Sequence, residues 1–213
     1  MSFQGRIDTT EIQLTSFTGG LVAGTNIRTP CGARRIDLVR PGDMIVTRTA
    51  GLQPVRMIWK RVVTQEQMRQ SPDQAPIRLS RRAIGPMMPQ QDLLVAADHR
   101  LLIPGFRVLG MPDNQCVLAE ARELAGTSDA VFIDRSHESV AYYQMVFDSH
   151  QVFAANGLPV ESFLPTAEAL ATLGPDMRED LMRRYPQLKR EPGSYPPAEY
   201  KIASGIEYLP HHA

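Results

Sequence analysis

The sequence predicts a mainly β protein carrying a short C-terminal helical appendage, and three observations predict it. From Thr10 to about Pro165 the chain is a series of short runs rich in branched and aromatic residues: "EIQLTSF", "TNIRT", "DMIVTR", "PVRMIWKRVV", "PIRLS", "DLLVAA", "RLLIPG", "AVFID", "VAYYQMVF" and "QVFAA". The runs are separated by "TPCGA", "RPGD", "TAGLQP", "AIGPMMPQQD" and "GMPDNQ", which put Gly or Pro where a tight reversal needs a preset or positive φ. After Pro165 the period changes from that of strands to that of helices.

Two segments interrupt the strand pattern. "TQEQMRQSPDQ", Thr64 to Gln74, is polar and is expected to be a loop, whereas "LAEARELAG", Leu118 to Gly126, is expected to form one short helix or helical turn. Beyond Pro165, "TAEALATLG" offers Thr166 as an N-cap and Gly174 as a stop. "PDMREDLMRRY" then puts Pro175 at a helix start, with Met177, Leu181 and Tyr185 four residues apart. The Pro-rich remainder, from "PQLKREPGSYPP" onward, has neither period and is expected to pack irregularly or not at all.

Composition narrows the function classes. The 213 residues include 23 Lys and Arg against 23 Asp and Glu, so no net field gathers nucleic acid or an anionic membrane. A nucleic-acid partner is not expected. Cys31 and Cys116 lack the spacing of a zinc or redox motif, and no metal or cofactor is expected; His211 and His212 are read as a solvated pair. The start, "MSFQGRIDTTEIQLTSF", has neither the basic end nor the apolar run of a standard signal peptide. No later stretch approaches the roughly 18 apolar residues of a membrane span. The expectation is a soluble protein without membrane insertion, in the cytoplasm or exported by a non-standard route. "GGLVAGT" has the glycines of a phosphate loop without its lysine or its helix, and is set aside.

One internal echo bears on architecture. "DLVRPGDMIV", Asp37 to Val46, and "DLLVAADHRL", Asp92 to Leu101, each place Asp-Leu ahead of a second Asp and return to apolar residues. Such a pair fits a fold built of two similar halves.

Three ordered blocks together resemble the Hint domain, the module shared by inteins, Hedgehog C-terminal domains and many bacterial proteins. "AGTNIRTPCGARRIDLVRPGDMIVTRTAGLQPVRMI" is similar to the family's opening block, "DLLVAADHRLLI" to the block that carries its histidine, and "FDSHQVFAANGLPVESF" to its closing block. The phrases "GLVAGT" and "ESFLP" resemble the bacterial Hint-type subfamily. The resemblance spans Ser16 to Leu164 and divides the chain into a lead-in strand (1–15), a Hint-like domain (16–164) and a helical, Pro-rich extension (165–213). It implies a flat, pseudo-twofold β horseshoe, in agreement with the strand reading and the echo. It also implies a self-processing reaction, in which a first-position Cys or Ser attacks the carbonyl before it and converts a peptide bond into a thioester or ester.

Such a reaction needs near-attack geometry, a group that deprotonates the nucleophile and one that protonates the leaving nitrogen. By position His99 matches the block histidine, with Asp98 beside it. His150, with Asp148 nearby, is the candidate support for His99, or else a cap on the last hairpin. Where many members have Thr three residues before the histidine, this chain has Ala96, which removes a hydrogen-bonding group from the oxyanion side.

The nucleophile position has two registers. If Gly24-Thr25 is the family's Gly-Thr, the position falls on Gly20, which has no side chain to attack with. If "SFTGG" stands for the family's Cys-Phe-Thr-x-Gly, Ser16 is the nucleophile and four extra residues loop out before the next strand. The first register needs no insertion. Cys31 reads as a turn residue, Cys116 as a buried strand cysteine, His137 as a loop histidine and Asp43 as a turn residue bonding its own backbone. The closing block has Val160-Glu161 where splicing inteins have His-Asn, so splicing is not expected. The leading reading is a Hint-type protein whose self-cleavage is weakened or lost. The alternatives are an N-terminal autoprotease using Ser16 and His99, and a non-catalytic β scaffold that docks a protein partner.

Overall fold

The computed structural model describes residues 17–196 and 199–210; Ser16, most of "EIQLTSF" and the pair His211-His212 lie outside them. Among the described residues, no helix is long and apolar enough to cross a membrane.

The opening glycines lead into β1 (Leu21–Val22), which is followed by a hairpin of β2 (Asn26–Thr29) and β3 (Gly32–Arg35). A second small hairpin, β4 (Met44–Val46) with β5 (Leu52–Pro54), precedes the long β6 (Met57–Thr64). Helix α1 (Gln65–Gln70) then leads to β7 (Ile77–Leu79), β8 (Leu93–Val95) and β9 (Arg100–Pro104). Next come β10 (Cys116–Glu120), α2 (Ala121–Leu124), β11 (Val131–Ile133) and the long β12 (Ser139–Val146). The closing hairpin is β13 (Val152–Ala155) with β14 (Leu158–Glu161), and the extension adds α3 (Ala167–Thr172), α4 (Pro175–Arg184) and β15 (Lys201–Ile202).

The strands form two large sheets, one in the order β11-β7-β8-β1-β12-β6 and the other β15-β10-β9-β14-β13-β2-β3, with β4-β5 apart. The fold is mainly β, as the run pattern predicts. The spine of the first sheet is the eight-residue antiparallel ladder of β6 and β12, from Ser139 opposite Thr64 to Val146 opposite Met57. One cluster of buried side chains, including Ile27, Leu93, Val95, Leu101, Phe147 and Phe153, draws residues from both sheets. A second gathers around Trp59, Tyr142 and Phe163 and takes in Leu181, Tyr185, Leu188 and Tyr195 from the extension.

Several expectations are corrected. Thr64–Gln74 is not simply a loop. The Thr64 hydroxyl accepts from the Gln67 amide while the Gln67 side chain accepts from the Thr64 amide, a reciprocal cap that starts α1. Met68, buried at 5% exposure, ties that polar helix down. "LAEARELAG" is divided between the end of β10 and α2. The segments of the internal echo take different conformations at their starts, Ile36–Leu38 forming a 3₁₀ turn and Leu93–Val95 a strand. Cys116 lies on β10 as expected but is only half-buried, and Cys31 is exposed in the β2-β3 turn.

Both predicted extension helices form. The Thr166 hydroxyl accepts from the Ala169 amide at the start of α3, and Pro175 opens α4. The segment after them is better ordered than its composition suggests. The Tyr185 hydroxyl donates to the Phe147 carbonyl at 2.8 Å, and the Tyr195 hydroxyl donates to the same oxygen. Further on, β15 joins the edge of β10 in parallel, and Tyr208 buries its ring in the main core. Bulky aromatic anchors, not periodicity, hold this segment.

Candidate functional site

The first sheet positions the site. β1 is inserted between β8 and β12, with Leu21 opposite both Val95 and Tyr143. The residues just before β1 are thereby brought against the turn that follows β8. The Gly20 carbonyl accepts from the Ala96 amide at 2.8 Å, and the Gly20 amide donates to His99 Nδ1 at 3.1 Å. The ring is oriented from its own turn as well, where the His99 amide donates to the Ala96 carbonyl at 3.0 Å and the His99 carbonyl accepts from the Ala121 amide.

Both glycines have left-handed φ, +72° at Gly19 and +123° at Gly20, which disfavours any other residue. Space is tight as well. A Cβ on Gly20 would come within 3.0 Å of Tyr142 Cβ and 3.3 Å of the Phe17 ring, and a Cβ on Gly19 would lie 2.9 Å from Gln144 Nε2 and 3.0 Å from His99 Nδ1.

His99 is completely buried. Because Nδ1 accepts the Gly20 proton, the neutral ring carries its own proton on Nε2, and that nitrogen has no partner among the described residues. Burial pulls the imidazole down from its ordinary 6.5 to about 4, although the Glu161 and Asp98 carboxylates nearby favour the cation. At neutral pH the ring is therefore uncharged. Asp98 lines the cavity of about 180 Å³ in front of Gly19, together with Arg100, Gln144, Glu161 and Thr166. A larger cleft of about 480 Å³, bounded by Phe17, Arg61 and Gln67, shares Thr18, Asp98 and Arg122 with it.

Two residues missed in the sequence complete the site. Arg61 on β6 donates through Nη2 to the Gly19 carbonyl at 3.4 Å, a long hydrogen bond, while its guanidinium rests 4.5 Å from the centre of the Tyr142 ring and 5.3 Å from that of Phe17. Burial lowers its pKa, and the Asp98 charge opposes that shift. Gln144 on β12 donates to the Thr18 carbonyl at 3.4 Å. Strand alternation could have found both. Trp59, Arg61 and Val63 share one face of β6, and Tyr142, Gln144 and Val146 share one face of β12, so each strand puts a polar side chain among inward-facing apolar ones.

The other candidates occupy different places. His150 does not pair with Asp148; its Nε2 lies 3.1 Å from Glu161 Oε2, while Asp148 faces Arg56, with Arg56 Nε donating to it at 2.7 Å. Glu161 also accepts from Arg100, at 3.2 Å and 3.3 Å from Nη1, so one buried carboxylate joins His150 to the residue after His99. The predicted pair His99-Asp98 stays together, His150 is connected to it through Glu161 and Arg100, and Ser16 lies outside the described residues. His137 stands in its loop 3.3 Å from Asp134. Asp43 accepts from the Arg40 amide in its own turn, as expected, and also pairs with Arg34. No cluster of three or more His, Cys, Asp or Glu able to hold a metal occurs among the described residues.

Among solved structures, the chain is similar to a bacterial intein-like domain from Clostridium thermocellum, at 15% identity over 67% of this chain and 98% of that one, with a TM-score of 0.45. It is similar to the MchDnaB-1 intein at 15% identity over 67% and 99%, TM-score 0.42, and to the gp41-1 intein at 13% over 67% and 97%, TM-score 0.40. No curated protein matches its sequence. The sequence profile of the Hint domain matches residues 20–167, well over half of the chain. The chain therefore belongs to the Hint domain family and is related to self-processing domains.

Proposed function

We propose that this Hint domain keeps the scaffold and histidine of a self-processing site but has lost the internal acyl shift, because Gly20 occupies the nucleophile position. The observation that carries this reading is the 3.1 Å hydrogen bond from the Gly20 amide to His99 Nδ1. A histidine serving as acid for a leaving amide must face that nitrogen, and the nitrogen it faces belongs to a residue without a side chain. In this role His99 is the acid and Asp98 the neighbouring carboxylate, while His150 acts only through Glu161 and Arg100 as a positioning residue. Ala96 contributes no hydroxyl on the carbonyl side. The β body with its packed extension then serves as a rigid framework for a protein partner.

The test is intact mass over time for the full chain carrying a folded tag ahead of Met1, beside Gly20→Cys. The expected result is no ester or thioester in either protein. Gly20→Cys stays inactive because a side chain there meets Tyr142 and an unfavourable φ. Tag release after Thr15, abolished by Ser16→Ala and by His99→Ala, would instead establish Ser16 as nucleophile and overturn the proposal.

A further inference from the structure

Arg34, Arg56, Arg78 and Arg100 each face a carboxylate within ion-pair distance, whereas Arg61, half-buried on β6, has no ion pair among the described residues. Its buried Nε has no hydrogen-bond partner among them, and the 3.4 Å bond from Nη2 to the Gly19 carbonyl is long. The Tyr142 and Phe17 rings hold the guanidinium in place without neutralising it. A charge withdrawn from water in this way is costly until an anion answers it. Burial lowers the Arg61 pKa, and Asp98 and Asp73, on the walls of the 480 Å³ cleft, oppose that shift without coming into ion-pair contact. Those two charges repel a dianion such as a phosphate more than a single carboxylate, so a carboxylate suits the cleft better.

The edge of the sheet shows how a carboxylate is delivered. β6 ends its sheet, with β12 as its neighbour on one side. At the end of their ladder the Gln65 amide donates to the Glu138 carbonyl at 2.7 Å, and bonding alternates along an antiparallel pair. Trp59, Arg61 and Val63 therefore bond to β12, while the amides and carbonyls of Ile58, Lys60 and Val62 point away from it. The far edge of β12 keeps the same alternation, since Ala141 there accepts from the Ala23 amide of the β1 side. Val62 is 49% exposed, and the cleft beside it is walled by Val62 and Val63 from β6 and by the side chains of Gln67, Gln70 and Gln74. We propose that an extended acidic peptide of a partner protein adds as a strand to the free edge of β6 and sets an Asp or Glu side chain against Arg61. On that edge Arg61 and the residue opposite it form a pair without mutual backbone bonds, the kind in which side chains stand closer. The inference rests on the reading of the β body as a framework for a protein partner, and names that partner's chemistry.

The experiment titrates the full chain into a fluorescein-labelled peptide, Thr-Val-Thr-Glu-Thr-Val-Thr blocked at both ends, and follows anisotropy. Binding is expected to saturate below about 1 mM. Gln in place of the peptide's Glu is expected to weaken it about tenfold or more, the scale of losing one partner of a desolvated charge pair. Arg61→Gln gives the same loss with the Glu peptide and little further loss with the Gln peptide. Val62→Pro removes an outward-facing amide without touching the guanidinium and weakens both peptides alike. Melting curves accompany the two variants, and the comparison of Glu and Gln peptides on the unaltered chain depends on neither. No saturation, or equal affinity of the two peptides for the unaltered chain, would overturn the inference. So would a dimer seen by analytical ultracentrifugation and abolished by Val62→Pro, because a second copy would then occupy the edge. Each of these outcomes leaves the loss of the acyl shift standing, whereas tag release after Thr15 overturns that loss whether or not the peptide binds.

Discussion

The chain buries two histidines within one neighbourhood and treats them oppositely. His150 is given a carboxylate, Glu161, which it shares with Arg100. His99 is given a backbone amide on one nitrogen and, among the described residues, no partner on the other, and burial disfavours its charged form. The difference separates two uses of a buried imidazole. One is a strut in an ionic knot that ties β14 to β9. The other is kept uncharged against a peptide bond, with its proton-binding nitrogen turned toward that bond.

The comparison is broken most severely at Glu161. Glu161→Ala leaves Arg100 and His150 without their common partner and is expected to cost about 3 kcal/mol or more, since stranding a buried charge is far worse than never having the pair. Equilibrium denaturation in urea measures it, and a loss below ~1 kcal/mol would mean that the knot is solvent-relaxed.

The second effect is a pH dependence. His99 has a folded pKa below its unfolded one, so the unfolded chain binds the extra proton first. Stability from this group is complete above about 6.5 and is lost as pH falls toward about 4, by an amount on the order of 3 kcal/mol. His99→Gln should flatten the stability profile in that window, and an unchanged slope would show that His99 is charged or hydrated in the folded protein.

The smallest effect sharpens the comparison. Both Glu161 and Asp98 raise the His99 pKa, with Glu161 contributing more. Removing either charge, by Glu161→Gln or Asp98→Asn, should move the His99 titration to lower pH, further for Glu161→Gln. Imidazole resonances followed by NMR would reveal the order, and a reversal would place Asp98 closer to the ring than the carboxylate of the knot.

Much of the β body was legible because its strands follow an alternation that burial requires. β6 and β12 alternate inward and outward along most of their length, and both were expected. β3 was not, because all four residues of "GARR" are exposed and nothing apolar marks it; pairing with β2 makes it a strand. Nor was α1, whose signal is the capping pair Thr64 and Gln67 rather than any stripe. In the candidate site, His99 and Gly20 were singled out by their positions in the blocks of the family resemblance. Arg61, Gln144 and the Glu161 partnership of His150 were not, since they depend on register between strands far apart in sequence.

The pairing of β15 with β10 bears on how the molecule comes off the ribosome. β10 is completed on one side by β9, a neighbour about a dozen residues earlier, but its other edge stays bare until Lys201 and Ile202 are made. Tyr195 and Tyr208, which reach Phe147 and the main core, also emerge late. The strand-rich body thus spends the synthesis of some eighty residues with an open sheet edge, a template for joining another chain. A fusion boundary drawn at Pro165, where composition changes, would make that passing state permanent.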